Sequence, residues 1–262
     1  MQSSVVRRFG VVAGAVSLAL VVTACGSGSD EASGDKGDKA AGSTRSAAPE
    51  TKPAVALGEA ELEKLALATA DLSGHKVEPA KPADIVAATD VSTDKAECKP
   101  LAEAAVLIST GSPAATVRRK ALAAPEEPAA NASEEEKANA AMMALGNMTV
   151  TSIALGSYEG TGAKDALALL RTAGEACAGG FKADNKGAKT NVVKVAPVTV
   201  SGGEEAAGWA LTIEDEGEKS VFQVAAARQG GTLATFMTVA FGKDGAKEVP
   251  PALIEAQLKK LG

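Results

Sequence analysis

"WALTIEDEGEKSVFQVAAARQGGTLATFMTVAF", from Trp209 to Phe241, holds three apolar runs separated by two short polar turns. In the first run Trp209, Leu211 and Ile213 recur with period two, the spacing of a strand that buries one face. "EGEK" then reverses the chain into "SVFQVAAAR", and "QGG" reverses it again into "TLATFMTVAF", where Leu233, Met237, Val239 and Phe241 share a face. Tandem hairpins of this kind build an antiparallel sheet, because parallel neighbours need a long crossover between them.

Upstream the same signal continues. "NVVKVAPVTV" (191–200) is a strand carrying Pro197, which predicts an edge position or a bulge because proline brings no N–H to a ladder. "NMTVTSIALGSYEG" (147–160) reads as a strand whose alternation changes phase near Thr151, from a bulge or from burial of both faces. "AATVRRKALA" (114–123) is a further strand, followed by the polar, acidic and part-helical insertion "PEEPAANASEEEKANAAMMAL" (125–145).

Helical spacing marks four other segments. In "TGAKDALALLRTAGEACAGGF" (161–181) Ala163, Ala166, Leu170, Ala173 and Cys177 fall on one face, and Gly179 and Gly180 end the helix. "LGEAELEKLALATADLSG" (57–74) places Leu62, Leu65, Ala66 and Thr69 in a narrow stripe with Gly74 as its stop. "ECKPLAEAAVLISTGS" (97–112) puts Pro100 in a first turn, and "PPALIEAQLKKL" (250–261) opens on two prolines and buries Ile254, Leu258 and Leu261. The expectation is an α+β domain over 57–262, an antiparallel sheet of about six strands with helices packed on it.

The first 24 residues are built differently. Arg7 and Arg8 precede an apolar stretch from Phe9 to Val22, and the small residues Thr23 and Ala24 stand before Cys25. This is the pattern of a signal peptide over 1–24, with an apolar part short for a permanent span. Val22 to Cys25 resembles the lipobox of bacterial lipoproteins, which implies removal of the leader and lipidation at Cys25, with diacylglycerol on the sulfur and palmitate as an acyl group. Two or more acyl chains hold a protein stably where one does so only marginally. From Cys25 to 56 the chain is Gly, Ser, Ala, Asp and Lys with hardly an aliphatic residue, so this segment is expected to be a disordered tether. The expected location is the outer, extracytoplasmic face of the cell membrane, with the lipid bilayer as a partner through Cys25.

Export makes the other two cysteines, Cys98 and Cys177, a disulfide pair rather than metal ligands. Composition narrows the function. The net charge is −6, and losing the leader with its two arginines makes it more negative, which argues against nucleic acid as a partner. Aromatic residues are only 3 %, so stacking platforms for bases or sugars are hard to build.

A search for chemistry yields little. His75 is the single histidine and sits in the turn "LSGHKVEP", with no serine in a nucleophile-elbow context to join it. "IEDEGEK" and "SEEEK" lack the ligand spacing of a calcium loop, and "GTGAKDA" lacks that of a phosphate loop. "VRRK" at Val117 to Lys120 is the one basic run, and a polar strand face accounts for it. The reading is no enzyme, no catalytic residue, no metal and no cofactor.

The order of "DLSGHKVEPA", "ECKPLAEAAVLI", "SIALGSYEGTGAKDALALLRTAGEACAGGF", "RQGGTLATFMTVAF" and "PPALIEAQLKKL" resembles the extracytoplasmic sensor domain of PknH-type actinobacterial serine/threonine kinases and of related lipoproteins. The resemblance implies an antiparallel sheet flanked by helices, tied by disulfides, with a cleft as ligand site. The kinase relatives have two disulfides, whereas only Cys98 and Cys177 correspond here, and this chain has no kinase domain.

A ligand-binding or sensor-like module of the envelope is therefore the first expectation, taking a small apolar molecule, with Trp209, Phe236 and Met237 as candidate lining residues. Aromatic and Met residues at strand period are also what a plain core looks like. The alternative is a structural or interaction protein that docks an envelope protein or the cell wall.

Overall fold

The computed structural model describes residues 54–123, 131–146, 148–241 and 245–262. The leader, Cys25 and nearly all of the segment to 56 lie outside the described residues.

Among the described residues the strands are β1 (His75–Pro79), β2 (Val91–Thr93), β3 (Ala115–Ala123), β4 (Thr149–Ser157), β5 (Phe181–Asn185), β6 (Ala188–Val198), β7 (Glu205–Asp215), β8 (Glu218–Gln229) and β9 (Thr232–Ala240). The helices are α1 (Glu59–Leu65), α2 (Lys99–Ala105), α3 (Glu134–Gly146), α4 (Gly162–Ala176) and α5 (Pro251–Leu261). The strands form one sheet in the order β1-β3-β4-β9-β8-β7-β6-β5-β2, and each neighbouring pair is antiparallel.

The α+β architecture is as the hairpins imply, but the sheet has nine strands rather than about six. The three extra strands are β1, β2 and β5, of 5, 3 and 5 residues. They are too short for an alternating pattern to show, and their pairing with distant strands makes them. His75, read as a turn residue, opens β1 opposite Ala123, with its Nδ1 3.2 Å from the carbonyl of Ser73.

The sheet is covered on both faces. On one, α2 and α4 bring Leu101, Ala104, Leu167 and Leu170 against Trp209, Leu211 and Val224. On the other, α1 and α5 bring Leu62, Leu253, Ile254 and Leu258 against Ile153, Leu155 and Phe236. Burial on both faces explains the phase slip in β4: its register with β3 and β9 is unbroken, and every residue from Thr151 to Ser157 is buried.

Pro197 lies where both expectations are partly met. β6 is an interior strand, but β5 pairs with it only as far as Val192, so Pro197 faces a partner on one side alone, Trp209 of β7. The missing N–H thus breaks no second ladder. A register shift does occur in β6, between Val192 and Lys194.

The first helix is shorter than its stripe suggested. It ends at Leu65, and Thr69–Asp71 forms a separate turn whose Thr69 hydroxyl donates to the Val77 carbonyl and accepts from the Val77 N–H. The insertion after β3 contains α3, opened by a reciprocal cap: Ser133 N–H donates to Glu136, and Glu136 N–H donates to the Ser133 hydroxyl.

Cys98 stands at the entry of α2 and Cys177 at the exit of α4, and they form a disulfide with Cα atoms 5.8 Å apart. Both are fully buried. The bridge staples the facing ends of the two helices that cover one side of the sheet.

Candidate cleft

The helices on the α2/α4 face do not cover the far ends of β5 to β8. Phe181 and Val192 are buried there, but Ala183, Ile213 and Phe222, next along the same face, are only half-buried. These three belong to a cleft of about 660 Å³. That volume lies within the range of small-molecule sites, and an apolar floor with a few polar groups is their usual make-up.

Two hairpins flank the cleft. Lys186 and Gly187 join β5 to β6 with φ of 52° and 89°, and Glu216 and Gly217 join β7 to β8 with φ of 49° and 86°. Left-handed backbone at both central residues is the turn whose twist matches that of the strands it joins, so the arms stay paired to their tips. Asp90 holds the first tip through an ion pair with Lys186 at 2.9 Å.

The rim is polar and predominantly acidic. Asp94, Asp184, Glu214 and Asp215 contribute carboxylates, against Lys182 and Lys189. Two of the carboxylates are positioned by backbone. The Lys182 N–H donates to Asp94 Oδ1 at 2.8 Å, while the Asp94 N–H donates to the Lys182 carbonyl at 3.0 Å. The Gly187 N–H donates to Asp184 Oδ1 at 2.7 Å. The arrangement offers an apolar seat with hydrogen-bond acceptors around it.

The residues expected to line a site are not brought together. Trp209 is buried on the α2/α4 face against α4. Phe236 is fully buried on the opposite face, among α1 and α5. Met237 is half-buried and lines a smaller hollow of about 210 Å³ beside Val106 and Ser152. Adjacent strand residues must point to opposite faces, so Phe236 and Met237 cannot share a pocket wall. The cleft draws instead on Ile213 and Phe222, visible in the strand pattern, and on β2 and β5, which that pattern did not reveal.

The basic run "VRRK" divides between the two faces of β3 rather than forming one polar face. Arg118 donates from Nε to the Leu107 carbonyl at 2.8 Å, and Lys120 pairs with Asp84 at 2.7 Å on the same face. Arg119 points the other way, nearly buried, and donates to the Leu67 carbonyl and to Glu63 at 2.6 Å. Among the described residues no group of three or more His, Cys, Asp and Glu is placed to hold a metal ion. None of the described helices is long and apolar enough to cross a membrane.

No protein-family model matches the chain, and no curated protein matches it. Among solved structures it is similar to the extracellular domain of PknH from Mycobacterium tuberculosis, with TM-score 0.45 and 12% identity over 79% of this chain and 97% of that one. At that identity and score the likeness is one of coarse architecture, not of site residues.

Proposed function

We propose that this chain is a lipid-anchored protein of the extracytoplasmic face of the cell membrane, and that its folded part is a non-catalytic binding module. The observation that carries the binding reading is the cleft between the two hairpins, with Ala183, Ile213 and Phe222 half-buried at its floor. Leaving large apolar side chains partly open to water costs roughly 25 cal/mol per Å² of surface that a ligand would cover. Support for the anchor comes from Val22 to Cys25 and the polar segment that follows. In this reading Cys25 is acylated, the segment to 56 spaces the domain from the bilayer, and the cleft takes a small molecule with an apolar part.

Native mass spectrometry of the chain, extracted with mild detergent from the envelope of a bacterial host, tests both halves. The expected spectrum shows a mature chain beginning at Cys25 with its acyl groups, and an adduct that leaves on gentle activation. Phe222→Asp should lose the adduct and keep the acyl mass. An intact leader overturns the anchor, and a bare domain from every host overturns the small-molecule reading in favour of protein or cell-wall docking.

A further inference from the structure

Of the three cations in "VRRK", one has no counter-ion. Lys120 is paired with Asp84, and Arg119 with Glu63 on the other face. Arg118 is half-buried, and its side chain makes one hydrogen bond among the described residues, from Nε to the Leu107 carbonyl at 2.8 Å. Burial pushes its guanidinium below the usual range, and no carboxylate acts against that shift. Asp84 is already engaged, since its Oδ1 takes Lys120 and its Oδ2 accepts from the Lys81 N–H at 3.1 Å. Arginine is seldom withdrawn from water unpaired, so the position of Arg118 calls for an explanation.

Leu107 holds that guanidinium beside the hollow of about 210 Å³, which Leu107 itself lines. It does so in left-handed backbone, φ 62°, which a branched side chain rarely adopts. The wall is mostly apolar, with Val86, Ala105, Val106, Leu107 and Met237, and Asp84 is the one carboxylate on it. Lys120, Ser152 and Met237 stand in register across β3, β4 and β9, so their side chains share the face on which the hollow lies. Ser152 is 8% exposed, and its hydroxyl has no hydrogen-bond partner among the described residues. Thr110 and Gln223 carry unpaired oxygens sealed from solvent, whereas the Ser152 hydroxyl stays accessible from the hollow that the residue lines.

We infer that this hollow is a second binding site, for a small aliphatic carboxylate. Ser152 supplies a hydroxyl donor within it, and Arg118 an uncompensated positive charge at its edge. That charge acts over a few ångströms without direct contact, because a site half-closed to water screens it weakly. One negative charge suffices, since Asp84 already balances Lys120. Val86, Val106 and Met237 seat the aliphatic body, and the volume, below that of drug-sized sites, restricts it to a short or branched chain. The site draws on β3, β4 and β9, whereas the cleft draws on β2 and β5 to β8, so neither reading rests on the other.

The test compares 3-methylbutanoate with 3-methylbutanamide, which have nearly the same shape and both accept a hydrogen bond, but of which only the first is charged. Each is titrated at neutral pH into the purified chain carrying isotope-labelled methionine methyls, and the Met237 methyl resonance is followed. The expected result is saturable binding of the carboxylate at least about tenfold tighter than that of the amide. Ser152→Ala should weaken the carboxylate about tenfold by removing the donor. Arg118→Gln should bring the two probes level, and Arg118→Lys, which keeps the charge, should retain the preference. If the glutamine variant does not fold, the probe comparison in the wild-type chain and in Ser152→Ala still decides. Equal binding of the two probes, no saturation by either, or carboxylate binding unchanged in Ser152→Ala overturns the inference. Phe222→Asp, the variant that reports on the cleft, should leave carboxylate binding here as it is.

Discussion

Gly174 of α4 lies against the indole of Trp209 of β7 so closely that a β-carbon at position 174 would stand 1.9 Å from the indole nitrogen. Helix and sheet meet there through backbone on one side and the chain's single tryptophan on the other. Gly174→Ala must displace a ring that is itself buried in the same core cluster as Leu170, Ala173 and Val195. Overpacking of this kind should cost about 2–3 kcal/mol in chemical denaturation. Tryptophan fluorescence should shift as well, and Trp209→Leu in the same chain should recover part of the loss. An alanine variant as stable as wild type would mean that α4 stands further from the sheet.

The disulfide closes a long loop, Cys98 and Cys177 lying 79 positions apart. Constraint of the unfolded chain over such a loop is worth up to about 4.5 kcal/mol. Replacing both cysteines with alanine should lower the unfolding free energy by about 3–4 kcal/mol, read from urea unfolding, with a steeper slope because the unfolded chain without its cross-link exposes more surface. A loss below about 1 kcal/mol would show that the helix ends are held by packing alone.

Acid should loosen the contact between α4 and the hairpin of β7 and β8. Glu205 accepts from Arg171 at 2.9 Å and from Arg228 at 3.0 Å, and these two guanidiniums hold its carboxyl below the ordinary 4.5. The unfolded chain therefore takes up this proton first as pH falls. The contribution is complete above 4.5 and is lost as pH drops through the lower folded value. Burial pushes the Glu103 carboxyl in the opposite direction, so the useful measurement is a difference. The stability gap between wild type and Glu205→Gln should be constant near neutrality and close as pH falls through 4.5 and below.

Tyr158 is the only tyrosine, so phenolate absorbance in the ultraviolet reports on it alone. Its hydroxyl donates to the Thr110 carbonyl at 2.7 Å, and burial pushes its titration well above the ordinary 10. The neutral phenol is favoured in the fold, so its stabilising effect is present below 10 and declines as pH rises past that value. The absorbance should stay flat through pH 10 in the folded protein and appear together with unfolding. Tyr158→Phe should cost about 1–2 kcal/mol by leaving the Thr110 carbonyl unpaired.

The elements legible in the sequence were those whose signal is local. The hairpins from Trp209 to Phe241 carry their period and their turns in one continuous stretch, and α4 carries its inward face from Ala163 to Cys177. The pairing of Cys98 with Cys177 was legible from compartment and parity. The strands β1, β2 and β5 were not, because three to five residues hold too few alternations.

The sequence by itself determined what each stretch of chain prefers locally: strand period, helix stripe, turn residues, the lipobox-like run and the acidic balance. Only the tertiary structure decided which residues share a hollow. Trp209 and Met237 belong to one face and Phe236 to the other, and the cleft joins β2 to β8 across strands that meet only in the sheet. The physical reason is that backbone periodicity is encoded between near neighbours, whereas a concavity forms where covering helices end and long-range ladders continue. That boundary depends on pairings such as Thr93 with Ala183 and on close approaches such as Val200 over Gly208, which no local pattern records.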